Sequence, residues 1–212
     1  MFNLERLWVS TAILTGVLLA ACGGGGGEAG SGGGGVTVTS VGLIALPETG
    51  VIRCTDATGT AIDCASTGQD GDLKAGVAWS NPRFTVDGTG NCITDNLTGL
   101  MWVRNPDAII RTWQQALEFA NSLALCGSTD WRLPNVNELD SLVNLGAANQ
   151  AAFLNGQGFG GVQADSYWSS SIWAGFGSSS APLAWAVTMA SGGMGPIDRS
   201  LSRYVLPVRA RQ

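Results

Sequence analysis

Apolar residues recur at three different spacings along this chain, and each spacing predicts a different element. Residues 7–21 are almost continuously apolar and end in Leu19-Ala20-Ala21-Cys22. Further on, Trp113, Ala116, Leu117, Ala120, Leu123 and Ala124 recur at helical spacing. They follow Thr112-Trp113-Gln114-Gln115, which has the form of a capping box, and the helix should run up to Cys126-Gly127. Asn135 can cap a second helix, with Glu138 reaching back to it and Leu139, Leu142 and Val143 forming the apolar stripe before Gly146. Alternating stretches predict strands at residues 84–86, 93–94, 100–104, 167–171, 185–189 and 204–208. In the fifth, Trp185, Val187 and Met189 alternate with Ala184, Ala186 and Thr188, as a half-buried strand requires.

The first apolar run is about 15 residues, short of the about 20 that a membrane span needs. Arg6 before it and small residues leading to a cysteine give it the form of a bacterial lipoprotein signal at 1–21. On this reading Cys22 becomes the first mature residue and carries lipid, and two or more acyl chains hold it stably on a bilayer. Gly23 after the cysteine resembles an outer-membrane sorting signal, so the expected location is the outer membrane of the cell envelope. Residues 23–35 are glycine broken only by Glu28, Ala29 and Ser31, a composition that cannot bury a core. Residues 22–35 therefore read as lipidated cysteine and flexible tether, with a root-mean-square span of roughly 20 Å. Residues 36–212 are left as one folded domain.

Composition narrows the function classes. Removing 1–21 takes away Arg6 and Glu5 and leaves 10 basic against 15 acidic residues, and the chain has no histidine. That balance argues against a nucleic-acid-binding surface. Eight tryptophans against two tyrosines, with 13% charged residues, describe an apolar, loop-rich fold. Beyond Cys22 the cysteines are Cys54, Cys64, Cys92 and Cys126, an even number in a compartment that permits disulfides. Of the three pairings we favour Cys54 with Cys64, closing a short hairpin-like loop, and Cys92 with Cys126, tying a core strand to the end of the first helix. Four thiolates could instead hold zinc, although no Cys-x-x-Cys spacing is present.

Several blocks occur in an order seen in one family: Thr94-Asp95-Asn96-Leu97-Thr98-Gly99-Leu100-Met101-Trp102, Thr112-Trp113-Gln114-Gln115-Ala116-Leu117, Trp131-Arg132-Leu133-Pro134-Asn135, Tyr167-Trp168-Ser169-Ser170, Ala184-Trp185 and Tyr204-Val205-Leu206-Pro207-Val208-Arg209. The chain resembles the C-terminal domain family of the Legionella collagen-like protein, over most of 46–212. The resemblance implies an α+β, C-type-lectin-like fold, with two helices packed on small twisted antiparallel sheets and long loops presenting the variable surface. It also implies binding rather than catalysis, since the family's named member is an adhesin for sulfated glycosaminoglycans.

Trp102, Trp113, Trp131, Trp168 and Trp185 read as core aromatics. Arg132 with Glu138 reads as a structural ion pair at a helix start. Without histidine no ordinary nucleophile-base pair can be built, so no enzyme and no cofactor are expected. Asp56, Asp63, Asp70 and Asp72 could suggest calcium, but the dense ligand loop is missing, and they read as solvated turns with no metal. Leu46-Pro47-Glu48-Thr49-Gly50 fits a sortase pattern without the apolar span and basic tail that should follow it.

The expected ligand-binding surface is made by loops at 172–182 and 191–202. Trp173 and Phe176 in the first can stack on sugar rings or fill a protein pocket. Arg199 and Arg203 lie in or beside the second, and strand spacing would put Arg203, Arg209 and Arg211 on one face. Guanidinium forks favour sulfate, carboxylate or phosphate. The partners expected are thus the membrane, through lipid at Cys22, and a glycan or protein ligand. A structural envelope lipoprotein with no dedicated ligand site is the alternative.

Overall fold

Both predicted capping boxes close. The Thr112 hydroxyl accepts from the Gln115 amide at 3.4 Å while the Thr112 amide donates to the Gln115 side chain at 3.0 Å. Asn135 and Glu138 reciprocate at 2.9 and 2.8 Å. Each box satisfies amides that the first turn of a helix leaves without partners.

The computed structural model describes residues 46–175 and 182–210; the signal, Cys22, the tether, Phe176 and Arg211 lie outside them. In chain order the elements are β1 (Cys54–Thr55), β2 (Ala61–Ile62), α1 (Asp70–Leu73), β3 (Phe84–Val86), β4 (Cys92–Asp95), β5 (Leu100–Val103), α2 (Trp113–Ser122), α3 (Val136–Asp140), α4 (Gln150–Gly156), β6 (Ser166–Ile172), β7 (Leu183–Thr188), β8 (Met194–Asp198) and β9 (Val208–Ala210). The described fold is α+β, with three small antiparallel sheets: β1-β2, β3-β4-β5-β9 and β6-β7-β8. Four helices replace the two expected, because α1 is a single turn and neither α1 nor α4 opens with a reciprocal capping box like those of α2 and α3.

The main core lies where the four-stranded sheet, α3, α4 and one face of the three-stranded sheet converge. It holds Ile93, Trp102, Leu139, Leu154, Tyr167, Val187 and Leu206, all buried. The opposite face of the three-stranded sheet presents Trp168, Ala184 and Ala186 to Ala116 and Ala120 of α2. Small residues on both partners let the helix sit close to the sheet. β7 is therefore covered on both faces, which corrects the half-buried reading: its alternation separates two cores rather than core from solvent. Trp102, Trp131 and Trp168 are fully buried as expected, whereas Trp113 and Trp185 are only half-buried.

The disulfides pair as favoured, Cys54 with Cys64 and Cys92 with Cys126. Their sulfurs are thereby unavailable as zinc thiolates. Cys92 and Cys126 pack with Trp131 and Val103 in a third cluster. A buried ion pair ties the start of β3 to the end of β4. Arg83, 3% exposed, donates to both Asp95 oxygens at 3.4 and 3.2 Å, and Asp95 is fully enclosed. The same guanidinium lies against the rings of Trp79 and Phe84 and donates to the Ser141 carbonyl after α3.

Arg132 and Glu138 form the ion pair expected of them, each terminal guanidinium nitrogen donating to one carboxylate oxygen, at 2.7 and 2.6 Å. Burial pushes the Glu138 carboxyl up, but the Arg132 guanidinium and the Asn135 amide outweigh it and hold it below the ordinary 4.5. A carboxyl depressed on folding adds stability above its unfolded pKa and loses it as pH falls through the folded one. Thermal stability should therefore decline with acidification below about pH 4.5, and Glu138→Gln should decline less steeply over that window. Melting curves from pH 6 to pH 2.5 provide the check, and parallel slopes would remove Glu138 from the titration.

Candidate functional site

The segment before α2 and the segment after β8 run side by side and build one surface. The Arg111 amide donates to the Arg203 carbonyl at 2.8 Å, the Arg203 amide returns a bond to the Arg111 carbonyl at 2.9 Å, and the Trp113 amide donates to the Arg199 carbonyl at 3.2 Å. Strand β6 holds this ladder from beneath. The Trp168 indole donates to the Arg111 carbonyl at 2.9 Å, and the Trp113 indole donates to the Ser169 carbonyl at 2.8 Å. Two tryptophans thus fix the backbone that carries Arg111, Arg199 and Arg203.

Trp173 and Arg199 meet at a single atom. The Trp173 amide donates to the Leu183 carbonyl at 3.1 Å, and Arg199 Nε donates to the same oxygen at 3.3 Å. The Arg199 guanidinium carbon sits 4.7 Å from the centre of the Trp113 ring, a cation–π geometry that fixes the head without using all of its donors. The Trp173 ring is half-buried and folds over Gly175 so closely that a Cβ there would lie 1.9 Å from a ring carbon. Arg203 donates to the Ser202 carbonyl at 2.7 Å, and its buried Nε has no partner among the described residues. Neither Arg199 nor Arg203 has a carboxylate within 4 Å among the described residues.

Arg111 differs. Asp107 pairs with it at 2.5 Å, and its guanidinium lies 3.7 Å from the centre of the Phe119 ring. Burial pushes the Asp107 carboxyl up, yet its bonds from Arg111 and the Ile109 amide hold it below its usual range, so the pair stays ionised. Phe119 in turn walls a cavity of about 290 Å³ together with Leu123, Leu125, Val205 and Pro207. The rim of the surface is therefore cationic and its flank apolar.

The structure brings the Trp173 backbone amide and the Arg199 side chain to one carbonyl, with the Arg203 backbone on the neighbouring ladder. It places strand β8 inside the expected 191–202 loop, so the second loop is a turn at 199–203 plus the bend at 189–193. Arg209 does not share a face with Arg203. It is 6% exposed and bonds both Asp130 oxygens at 2.7 and 3.2 Å. The chain leaves the strand between Tyr204 and Pro207, since Pro207 has no amide to continue a ladder. Arg111 and Trp113 join the site without having been singled out for it. They flank the helix cap Thr112, and that position was the available signal, because the residues around an N-cap sit where a chain turns at the surface.

Of the aspartates suspected of calcium, Asp56 and Asp63 cap turns, and Asp70 and Asp72 lie in α1. Asp56 accepts from the Thr58 and Thr60 amides at 2.9 Å, Asp63 from Ala65 at 3.0 Å and Asp72 from Gly68 at 3.0 Å, while Asp70 bonds the Thr49 hydroxyl. Asp87, beside the Cys92–Cys126 bridge, takes the Cys92 amide at 2.9 Å.

A family model described as the Lcl C-terminal domain matches residues 91–209, more than half of the chain and every described element from β4 to the first two residues of β9. The chain belongs to that family. No curated protein sequence matches it. The Lcl C-terminal domain contains the whole Arg111, Trp113, Trp173, Arg199 and Arg203 surface, whereas the Cys54–Cys64 hairpin and α1 precede the matched span. The candidate site is therefore a feature of the Lcl C-terminal domain and not of the segment before it.

Proposed function

We propose that this protein is a non-enzymatic recognition module of the bacterial cell envelope, anchored by lipid on Cys22 in the outer membrane. It binds an anionic glycan at the surface around Arg199, Arg203 and Trp173, and its fold is C-type-lectin-like. The observation that carries this reading is the state of the two arginines: both are held in place by backbone carbonyls, and neither meets a carboxylate among the described residues. A guanidinium so placed retains donors for sulfate or carboxylate oxygens. The half-buried Trp173 ring, whose backbone amide shares the Leu183 carbonyl with Arg199, offers an apolar plane of the kind that sugar rings stack upon, and membership in the Lcl C-terminal domain family is in keeping with that use.

The test uses the full-length chain in detergent micelles, with heparin and fully desulfated heparin as probes. Heparin should bind and the desulfated polymer should bind at least tenfold more weakly. Arg199→Ala should weaken heparin binding about tenfold or more, because a hydrogen bond to a charged group contributes about 1.5–3 kcal/mol. Gly175→Ala, which displaces the Trp173 ring, should weaken it as well, while Lys74→Ala should not. In cells, labelled palmitate should enter the wild type and not Cys22→Ser. Heparin binding that survives Arg199→Ala, Arg203→Ala and Gly175→Ala in folded protein would sink the site, and palmitate in the serine variant would sink the anchor.

A further inference from the structure

The sortase-like residues Leu46, Pro47, Glu48 and Thr49 wall a cavity of about 250 Å³, closed on the other side by Asp140 and Ser141 at the end of α3 and by Val143 and Leu145. This wall is fixed by its own bonds. The Leu145 amide donates to the Thr49 carbonyl at 2.9 Å, the Trp79 indole donates to the Glu48 carbonyl at 2.8 Å, and the Glu48 amide donates to the Val77 carbonyl at 3.0 Å. Gly146 approaches Gly50 so closely that a Cβ would lie 2.1 Å from the Gly50 carbonyl oxygen. The cavity is thus preformed where the segment before the Lcl match meets the matched domain.

Its chemistry is two-sided. Leu46, Pro47, Val143 and Leu145 are apolar, and Glu48 and Asp140 are the two acidic residues of the lining. The half-buried Asp140 carboxylate accepts no hydrogen bond among the described residues, and burial alone pushes its pKa up. Carboxyls in such surroundings gain from a cation that replaces the water they have lost. Beside the lining, Asp70 accepts from the Thr49 hydroxyl, and the Arg83 guanidinium that donates to the Ser141 carbonyl is already paired with Asp95. Leu46 and Val77, joined by the Val77 amide to Leu46 carbonyl bond of 2.8 Å, leave exposed apolar surface at the mouth.

We propose that this cavity is a docking pocket for an arginine or lysine side chain of a partner protein, its methylenes against Leu46, Pro47, Val143 and Leu145 and its cationic head between Glu48 and Asp140. The charge complementarity selects the occupant: an apolar stem with a positive end matches both walls, whereas a neutral chain leaves the carboxyls unpaired and an anion is repelled. The pocket is independent of the arginine surface and of its glycan.

The probes are acetyl-Leu-Arg-Leu-amide and the same peptide with citrulline, which keeps the shape of arginine and removes its charge, titrated by NMR into the full-length chain in micelles. The arginine peptide should bind at least tenfold tighter than the citrulline peptide. Asp140→Asn should reduce its affinity at least fivefold and Glu48→Gln at least twofold, both with native near-ultraviolet dichroism, and Arg199→Ala should leave it unchanged. The proposal is overturned if neither peptide binds at millimolar concentration, if both bind equally, or if both carboxyl variants bind as wild type. Agmatine should compete more weakly than the peptide, whose leucines can also meet the exposed Leu46 and Val77, and competition equal to the peptide's would overturn the partner reading in favour of a small amine.

Discussion

Replacing Asp95 with alanine should destabilise the domain by about 3–5 kcal/mol, because it strands the Arg83 guanidinium in a site from which water is excluded. Asp95 does more than pair with Arg83. Its oxygens accept the Leu97 amide at 3.0 Å and the Thr98 hydroxyl at 3.1 Å, which shape the turn between β4 and β5. The loss is a large share of the about 5–15 kcal/mol that holds a native domain together. For a chain of this size it should lower the melting temperature by roughly 6–20 °C. Arg83→Met combined with Asp95→Leu should recover much of it, since two apolar residues leave no charge unmatched. Urea denaturation of the single and double variants decides the point. A single variant within 1 kcal/mol of wild type would show that water reaches Arg83.

The second large effect is expected from the bridge between Cys92 and Cys126. Its partners are 34 residues apart, and closing a loop of that length in the unfolded chain corresponds to about 3–4 kcal/mol, against about 2.5–3 kcal/mol for Cys54–Cys64 with a separation of 10. Cys92 is also fully buried beside Trp131, so its replacement disturbs packing as well. Cys92→Ala with Cys126→Ala should therefore cost more than Cys54→Ala with Cys64→Ala. Equal midpoints and slopes for the two double variants in urea would contradict this ordering.

What could be read from the sequence is what local chemistry specifies. Thr112 with Gln115 and Asn135 with Glu138 announce their helices because a cap and its reciprocal residue are close along the chain. Strands β3, β4 and β5 announce themselves by alternation between turns. Other elements are concealed by the tertiary structure that makes them possible. Helix α4 begins with Gln150, a fully buried polar residue whose amide is satisfied by the Asn144 amide and by the Asn144 and Ala147 carbonyls, so its inward face does not register as apolar. Strand β8 contains Gly195 and Pro196, which suggest a loop. Pro196 is tolerated because β8 is an edge strand and needs to be hydrogen-bonded only on the β7 side. The same limit applies to the candidate site. Trp173, Arg199 and Arg203 are legible as residue types in loops, but the ladder that sets Arg111 beside Arg203 joins positions 92 residues apart. Arg209 misleads because an arginine in a sequence looks alike whether it faces solvent or Asp130.

Strand β9 has a consequence for how the molecule is made. It is the last described element, yet it pairs with β5 and exchanges two bonds with Arg132, at 3.0 and 2.9 Å, so the middle of the fold is completed by its end. Such long-range closure is slow by nature, because distant segments must meet before either is rewarded. Among the described elements, residues 208–210 emerge last during synthesis. Until then β5 presents a bare edge and Val208 is missing from the core. The four-stranded sheet is therefore the last of the described sheets to close, and its completion waits on β9.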